Sequence, residues 1–143
     1  MKPVHIGPSV LRDVLEHARR TVPEECCGLL LGAANRIETA YPARNVFRSQ
    51  TRFQVHPADH FAAIRLARAE GRAVVGAYHS HPKSSPRPSL TDEEEAVDTE
   101  FWYLIVSPAM AETRAYRLIE GSLVEVELHV VEGKIDSSDR AGT

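Results

Sequence analysis

The chain has 143 residues, of which 43% are hydrophobic and 26% are charged. This length and mixture predict one globular domain with its own apolar core, and they exclude a disordered or collagen-like chain. With 17 basic against 20 acidic residues and a net charge of −3, the composition indicates no surface for a nucleic acid or an anionic membrane.

In chain order, the pattern predicts two long helices and one short one. The first helix follows Pro8, with Ser9 as its cap and apolar residues three and four positions apart, and it ends before Pro23. The second begins at Pro57 and ends at Gly71. Its inner face is predicted to carry three apolar side chains: Phe61, Ile64 and Ala67. The short helix covers 90–98.

Short apolar or alternating runs predict the strands. They lie at 26–34, 36–46, 51–55, 73–81, 101–107, 112–120 and 123–131. The last two form a hairpin around Gly121. Hairpins dominate this order, so we expect a mixed α/β sheet flanked by helices. Residues 1–132 form the predicted single domain, and 133–143 form a flexible C-terminal tail.

Two features of the sequence indicate the compartment. The only cysteines, Cys26 and Cys27, are adjacent, which does not suit a disulfide framework and fits a reducing environment. The first ten residues lack the apolar stretch of a signal peptide, and no segment approaches the roughly 18 apolar residues that span a bilayer. We therefore expect a cytoplasmic protein with no membrane partner.

Two histidines, His79 and His81, lie one residue apart in the strand predicted at 73–81. Side chains alternate between the faces of a strand, so both imidazoles point to the same side, about 7 Å apart along the chain. Zinc accepts imidazole nitrogen and carboxylate oxygen, and a catalytic zinc site has three protein ligands and one open position. The pair indicates part of a metal site, although two exposed imidazoles on a polar strand face would show the same spacing.

Asp92 is the candidate for the third ligand. The loop before it contains Pro82, Pro86 and Pro88, which limit the entropy lost when the chain turns back toward the histidines. The sequence from Ser89 to Asp92 is also typical of a helix N-terminal cap, with Asp92 favoured by the helix dipole. The two roles are compatible, because a capped helix start is a rigid place for a ligand.

Glu25 is the candidate for the proton-transfer group that hydrolysis of an amide bond requires. It directly precedes the apolar strand at 26–34, so we expect it to point inward, whereas we expect Glu24 to contact solvent. A glutamate in a partly apolar pocket is suited to accepting and returning a proton. Without the metal pattern, Glu25 would be interpreted as an ordinary acidic residue at a strand edge.

Glu25, His79-Ser80-His81 and, seven residues later, Ser89-Leu90-Thr91-Asp92 form a pattern that resembles the JAMM motif of the MPN-plus (Mov34/PAD-1) zinc metalloproteases. Segments over about residues 8–107 are similar to the short prokaryotic members of that family. The resemblance implies a cytidine-deaminase-like α/β fold. It implies three ligands for one Zn²⁺ per chain, namely His79, His81 and Asp92. It also implies Glu25 as the general base and acid, and Ser89 as the residue that stabilises the oxyanion.

The resemblance further implies a class of substrate. Most members of the family are isopeptidases or peptidases that hydrolyse the C-terminal amide bond of a ubiquitin-like β-grasp protein, often after Gly-Gly. For small bacterial members this partner is a sulfur carrier. The chain is most similar to members that release a C-terminal amino acid such as cysteine from a sulfur-carrier protein. The oligomeric state is left open, with a homodimer among the alternatives.

Two other functions fit parts of the pattern. A domain of the same fold without turnover would be a protein-binding scaffold, but all five motif residues are present here. A zinc nucleoside deaminase would need H-x-E and a later P-C-x-x-C, and neither occurs.

The remaining cysteines and histidines have simpler interpretations. Cys26 and Cys27 are expected to pack in the core, because free cysteine is commonly buried. His56 and His60 are four residues apart at a helix start, where solvent-facing or capping histidines are more common than metal ligands.

Overall fold

The computed structural model describes residues 1–131, so the tail predicted at 133–143 lies outside the described residues and the boundary at 132 stays a prediction. Its helices are α1 (Pro8–Thr21), α2 (Pro57–Ala69) and α3 (Leu90–Glu95). Its strands are β1 (Val4–Ile6), β2 (Cys27–Ala33), β3 (Arg36–Ala43), β4 (Ala73–Ser80), β5 (Trp102–Ser107), β6 (Glu112–Ile119), β7 (Ser122–Val126) and β8 (Leu128–Val130).

The eight strands form one sheet in the order β7-β6-β5-β4-β2-β3-β1-β8. Within residues 1–131, the pairs β1–β3, β1–β8 and β4–β5 are parallel, and the other neighbours are antiparallel. β7 and β8 stand at opposite ends of this order but are joined through Glu127 alone, so the sheet curls nearly closed. The predicted mixed α/β sheet flanked by helices is confirmed.

Helix α1 packs on one face of the sheet through the residues that its apolar periodicity predicts. Val10, Val14 and Ala18 are buried and belong to the largest apolar cluster, which also contains Leu30 and Tyr78. The helix begins at Pro8 with Gly7 as its N-cap, and no side chain caps it. The prediction that Ser9 caps this helix is therefore wrong, because Pro is favoured at the first helical position and moves the cap two residues earlier, to Gly7.

Helix α2 packs on the other face. There Ala63 and Ala67 meet Leu29, Leu31 and Ala77. Strand β2 therefore has apolar neighbours on both faces, since Leu30 lies in the α1 cluster, and this explains its unbroken apolar run.

Phe61 was predicted on the inner face of α2 but is 65% exposed. The two small alanines, Ala63 and Ala67, form the contact instead. Periodicity of large side chains alone therefore misassigned the inner face of this helix.

Two strand predictions need correction, and one strand was missed. Residues 51–55 form no strand, and only an isolated bridge joins Asn45 and Val55, because this segment is held by side-chain hydrogen bonds. The predicted strand at 123–131 is divided at Glu127 into β7 and β8, which pair with different neighbours. β1 was not predicted, since three residues are too few to show a period.

Across residues 1–131, none of the helices combines the length and apolar character needed to cross a bilayer.

Candidate metal centre and catalytic site

The site forms where β4 ends. Ala77 on β4 packs toward α2, so the alternation of the strand turns His79 to the same side and Ser80 to the other. The Ser80 hydroxyl accepts a hydrogen bond from the Cys26 backbone N–H at 2.8 Å. This bond ties the end of β4 to the residue next to Glu25.

His79, His81 and Asp92 converge on one point, as the sequence predicts. The two Nε2 atoms of the histidines are 3.3 Å apart. His79 Nε2 lies 3.1 Å from Asp92 Oδ1, and His81 Nε2 lies 2.9 Å from Asp92 Oδ2. The three side chains are 5%, 9% and 8% exposed, respectively. Within residues 1–131, this is the one group of three such donors that a single metal ion could join.

The distances between these donors fit one ion. For ligand bonds of about 2.0 to 2.1 Å at tetrahedral angles, neighbouring donor atoms lie about 3.3 to 3.4 Å apart. The two Nε2 atoms are 3.3 Å apart, and they lie 3.1 and 2.9 Å from the two different oxygens of the Asp92 carboxylate, which is close to this value. Three protein donors leave a fourth position for water or substrate, which is typical of a catalytic centre.

Neighbouring groups orient each donor. His81 Nδ1 donates a hydrogen bond to the Ser85 carbonyl at 2.9 Å, and in the neutral ring this leaves the Nε2 lone pair directed at the cluster. The ring of Phe53 stacks on the ring of His79 with centroids 4.3 Å apart. Asp92 Oδ2 accepts a hydrogen bond from the Ser89 backbone N–H at 2.9 Å.

Two of the three donors are held in the protonation state that binds a cation. Burial lowers the pKa of His79, which favours the neutral ring. Burial acts to lower the pKa of His81 too, but hydrogen bonds with Asp92 and Ser85 raise this pKa overall. Burial acts to raise the pKa of Asp92, yet hydrogen bonds with both histidines hold it well below its usual range. An ionised Asp92 and a neutral His79 are forms that metal binding requires, whereas His81, whose pKa is raised, would release a proton when a metal ion binds.

Ser89 and Asp92 also cap helix α3. The Ser89 hydroxyl accepts a hydrogen bond from the Asp92 backbone N–H at 3.0 Å, which completes a reciprocal capping box with the bond from Ser89 N–H to Asp92. Capping and convergence with the histidines therefore occur together. The capped turn fixes the position of the carboxylate.

Glu25 lies beside the cluster in an apolar setting. Its side chain is 4% exposed, and within residues 1–131 its Oε1 atom has no hydrogen-bond partner. Burial raises the pKa of the Glu25 carboxyl to about 8, while the positive charge of His81 acts to lower it. A buried carboxyl that is free of partners and titrates near neutral pH is suited to proton transfer.

A cavity of about 290 Å³, which we call the small pocket, borders the cluster. It brings together three of the predicted site residues, Glu25, His81 and Ser89. Its other lining residues are Pro23, Gln50, Thr51, Pro82, Lys83 and Ser84.

A second and larger cavity of about 600 Å³ borders the cluster at Phe53, and we call it the apolar groove. Its apolar lining includes Leu29, Phe47, Phe53, Val55, Val97 and Phe101. The groove shares no lining residue with the small pocket. The centre therefore has a roomy apolar neighbour and a small polar one.

Asn45 organises the loop that lines both cavities, a role that the sequence analysis missed. Its Oδ1 accepts hydrogen bonds from the backbone N–H groups of Phe47 and Gln54, both at 3.0 Å. Its Nδ2 donates to the carbonyls of Arg52 at 3.0 Å and Glu25 at 3.2 Å. Asparagine is a turn former whose side chain bonds nearby backbone, and its place after β3 was the available signal.

His56 and the two cysteines have the simpler structural roles that the sequence analysis gave them. His56 caps α2 by accepting a hydrogen bond from the Ala58 N–H at 3.1 Å. Cys26 and Cys27 are free and buried, as expected. Burial raises the pKa of Cys26 to about 11 and that of Cys27 to about 12.

Together the curled mixed sheet and the buried His-His-Asp group define a domain that can hold one metal ion. Residues 7–119 match the family model described as prokaryotic homologs of the JAB domain. The chain belongs to this family, and the resemblance found in the motif residues is confirmed.

Two relatives have names that describe an activity. The CysO-cysteine peptidase of Mycobacterium tuberculosis is 32% identical over 132 residues, which cover 89% of this chain and 90% of the relative. The desampylase of Haloferax volcanii is 36% identical over 103 residues, which cover 70% of this chain and 74% of the relative.

Solved structures agree on the fold. A Desulfitobacterium hafniense protein with a solution structure superposes with a TM-score of 0.81 at 30% identity and covers 90% of this chain and 93% of its own. The crystal structure of a JAB1/MPN domain protein from Archaeoglobus fulgidus gives a TM-score of 0.60 at 26% identity, with 92% of this chain and 100% of the neighbour covered.

Proposed function

We propose that the protein is a zinc metallopeptidase that hydrolyses the C-terminal amide bond of a ubiquitin-like β-grasp sulfur-carrier protein and releases a residue such as cysteine. The observation that carries this proposal is the cluster of three buried donors, His79, His81 and Asp92, at separations that fit one ion. The complete donor set favours a catalytic domain over a scaffold. The names CysO-cysteine peptidase and desampylase, borne by relatives, support the substrate class.

The three donors would hold one Zn²⁺ per chain. When bound, the zinc supplies Lewis acidity, which polarises the scissile carbonyl and makes water a nucleophile at neutral pH. The donor set of two imidazole nitrogens and one carboxylate oxygen suits zinc, and the fourth position stays open to substrate and water.

Glu25 carries the proton in this mechanism. Its Oε1 is buried beside His81 without a hydrogen-bond partner in the described part of the chain, so it is free to accept a proton from the attacking water. Because burial acts to raise the pKa of this carboxyl, the protonated form is easier to reach than for an exposed glutamate. The same carboxyl can therefore return the proton to the leaving amine.

Ser89 stabilises the oxyanion in this mechanism. Its Oγ already accepts a hydrogen bond from the Asp92 N–H, so its own O–H proton remains available to donate. Ser89 lines the small pocket together with Glu25. A donor fixed by a capping box is preorganised, which is what stabilisation of a developing charge requires.

The apolar groove would hold the C-terminal tail of the β-grasp protein. Its volume of about 600 Å³ and its apolar lining suit an extended peptide whose larger side chains precede Gly-Gly. The tail would reach the centre past Phe53, whose ring stacks on His79.

Compartment and assembly are further parts of the proposal. A cytoplasmic location is supported by the two free, buried cysteines. A homodimer stays a prediction, which analytical ultracentrifugation would test.

The test uses the zinc-loaded protein and a β-grasp sulfur-carrier protein ending in Gly-Gly-Cys. Intact-mass spectrometry should record the loss of one cysteine residue with time, and elemental analysis should find one zinc per chain. The Glu25→Gln variant should keep its zinc and lose activity by about 10²- to 10⁴-fold. The matched control, Glu24→Gln, should stay active. Full activity of Glu25→Gln, or a zinc-free wild type that still cleaves, would contradict the mechanism.

A further inference from the structure

The small pocket differs from an ordinary ligand site in size. Its volume of about 290 Å³ lies at the lower limit of the roughly 300 to 1,000 Å³ that is usual for ligand pockets. Because Glu25 and Ser89 line it, the group that leaves after hydrolysis would enter this pocket while the acyl tail lies in the apolar groove. The pocket has room for a group of about the size of one amino acid.

One lysine gives the small pocket its positive charge. Lys83 lines the pocket and, within residues 1–131, makes no hydrogen bond or ion pair. Two of the basic side chains near the site are paired: Arg44 bonds Asp59 at 2.9 Å, and Arg52 bonds Glu95 at 2.9 Å. Lys83 is therefore a cation that remains available to an incoming anion.

The turn that carries Lys83 is held against the metal cluster. The bond from His81 Nδ1 to the Ser85 carbonyl closes the segment that contains Lys83 and Ser84. Gln50 and Ser84 line the same pocket and, in the described part of the chain, their side chains have no hydrogen-bond partners either. A cation and two neutral donors around a small space form a site whose chemistry suits a carboxylate.

We infer that Lys83 binds the α-carboxylate of a single residue leaving from the C terminus, so that the enzyme is a carboxypeptidase of β-grasp proteins. This inference rests on the proposed function. Hydrolysis adds the hydroxyl of water to the acyl carbon, breaks the C–N bond and places a proton on the leaving nitrogen. The leaving amino acid carries its carboxylate on the carbon next to that nitrogen, whereas a lysine side chain leaving from a folded protein has no carboxylate at that place.

The test compares two forms of one substrate. A β-grasp protein ending in Gly-Gly-Cys carries a free carboxylate, and its C-terminal carboxamide form is nearly the same size but uncharged. We expect wild-type kcat/KM to be about tenfold higher for the acid than for the amide, the ratio that a difference of about 1.4 kcal/mol produces. In Lys83→Met this ratio should fall to near one, and in Lys83→Arg it should largely recover. Arg87→Gln, in the same loop but outside the pocket lining, should keep the wild-type ratio.

A binding measurement separates the two proposals. In the Glu25→Gln background, calorimetry should find tighter binding of the acid form, and Lys83→Met should remove the difference. Cleavage of both forms at equal rates by the wild type would overturn the role of Lys83 while leaving the proposed function intact. Acid-selective binding that depends on Lys83, with no cleavage by the wild type, would overturn the proposed function and support the carboxylate site. If neither acid-selective binding nor cleavage were observed, both proposals would be overturned.

Discussion

The small pocket and the apolar groove border the same buried cluster but are built differently. The pocket measures about 290 Å³, and its Lys83 turn is closed by a hydrogen bond to His81. The groove measures about 600 Å³, and one exposed ion pair, Arg52 with Glu95, joins two of its walls. Under the proposed function, this difference lets one centre accept a bulky protein tail on one side and select a small charged group on the other.

The two cavities nevertheless depend on one loop. Gln50 and Thr51 line the pocket, and the next residues, Arg52 to Val55, line the groove. Asn45 fixes this loop through four hydrogen bonds. A change at Asn45 should therefore affect both sides, whereas changes within one cavity should affect only that side.

Asn45→Ala should have the largest effect on stability. It removes four hydrogen bonds, so we expect a loss of about 3 kcal/mol in the free energy of unfolding, measured with urea. Activity should fall on every substrate because both cavities lose their shared loop. Asn35→Ala is the control, since within residues 1–131 the Asn35 side chain has no hydrogen-bond partner. Equal stability of the two variants would refute the role of Asn45.

Glu25 should make the stability of the metal-free protein depend on pH. Its pKa is raised from the ordinary 4.5 to about 8, so the unfolded chain ionises first and the free energy of unfolding falls as pH rises from about 4.5 to 8. Glu25→Gln should remove this slope and be about 1 to 3 kcal/mol more stable than wild type at pH 7. Urea unfolding at several pH values, in the presence of a chelator, measures this pH dependence. Glu24→Gln is the control. Parallel curves for wild type and Glu25→Gln would contradict the prediction.

Val97→Asp should weaken substrate binding in the apolar groove and leave the small pocket unaffected. Val97 is 83% exposed and lines the groove, so a charge there should disfavour an apolar tail and raise KM about tenfold with little change in kcat. Steady-state kinetics on the Gly-Gly-Cys substrate measures it. Val124→Asp, at an exposed valine outside both cavity linings, should behave as wild type. An unchanged KM in Val97→Asp would place the tail elsewhere.

Loss of the Arg52–Glu95 ion pair should have the smallest effect on the free energy of unfolding. Both side chains are about half exposed, so their coupling should be about 0.2 to 1 kcal/mol in a double-mutant cycle of Arg52→Gln and Glu95→Gln. The coupling should decrease at high salt. A coupling well above this range, insensitive to salt, would mean that the pair is a structural clamp on the groove.

The sequence predicted the parts of the site that depend on regular structure. His79 and His81 meet because strand residues two apart share a face, and Asp92 is placed by a local capping pattern that begins at Ser89. Glu25 was placed inward by the apolar strand that follows it. These rules act over a few residues, so one sequence is enough to apply them.

The loop, the cavities and one helix face could not be predicted in the same way. Residues 51–55 alternate like a strand, but the bonds of Asn45 and the stacking of Phe53 on His79 hold them in a loop. The exposure of Phe61 depends on the alanines that let α2 approach the sheet. Such features are set by contacts between distant segments, which a local pattern does not contain.

Anomalous diffraction at the zinc edge, from crystals of the zinc-loaded protein, tests the central claim most directly. We predict one peak about 2.0 to 2.2 Å from His79 Nε2, His81 Nε2 and an Asp92 carboxylate oxygen, with Glu25 beside its open side. A zinc-loaded crystal with no peak between these three side chains would contradict the account.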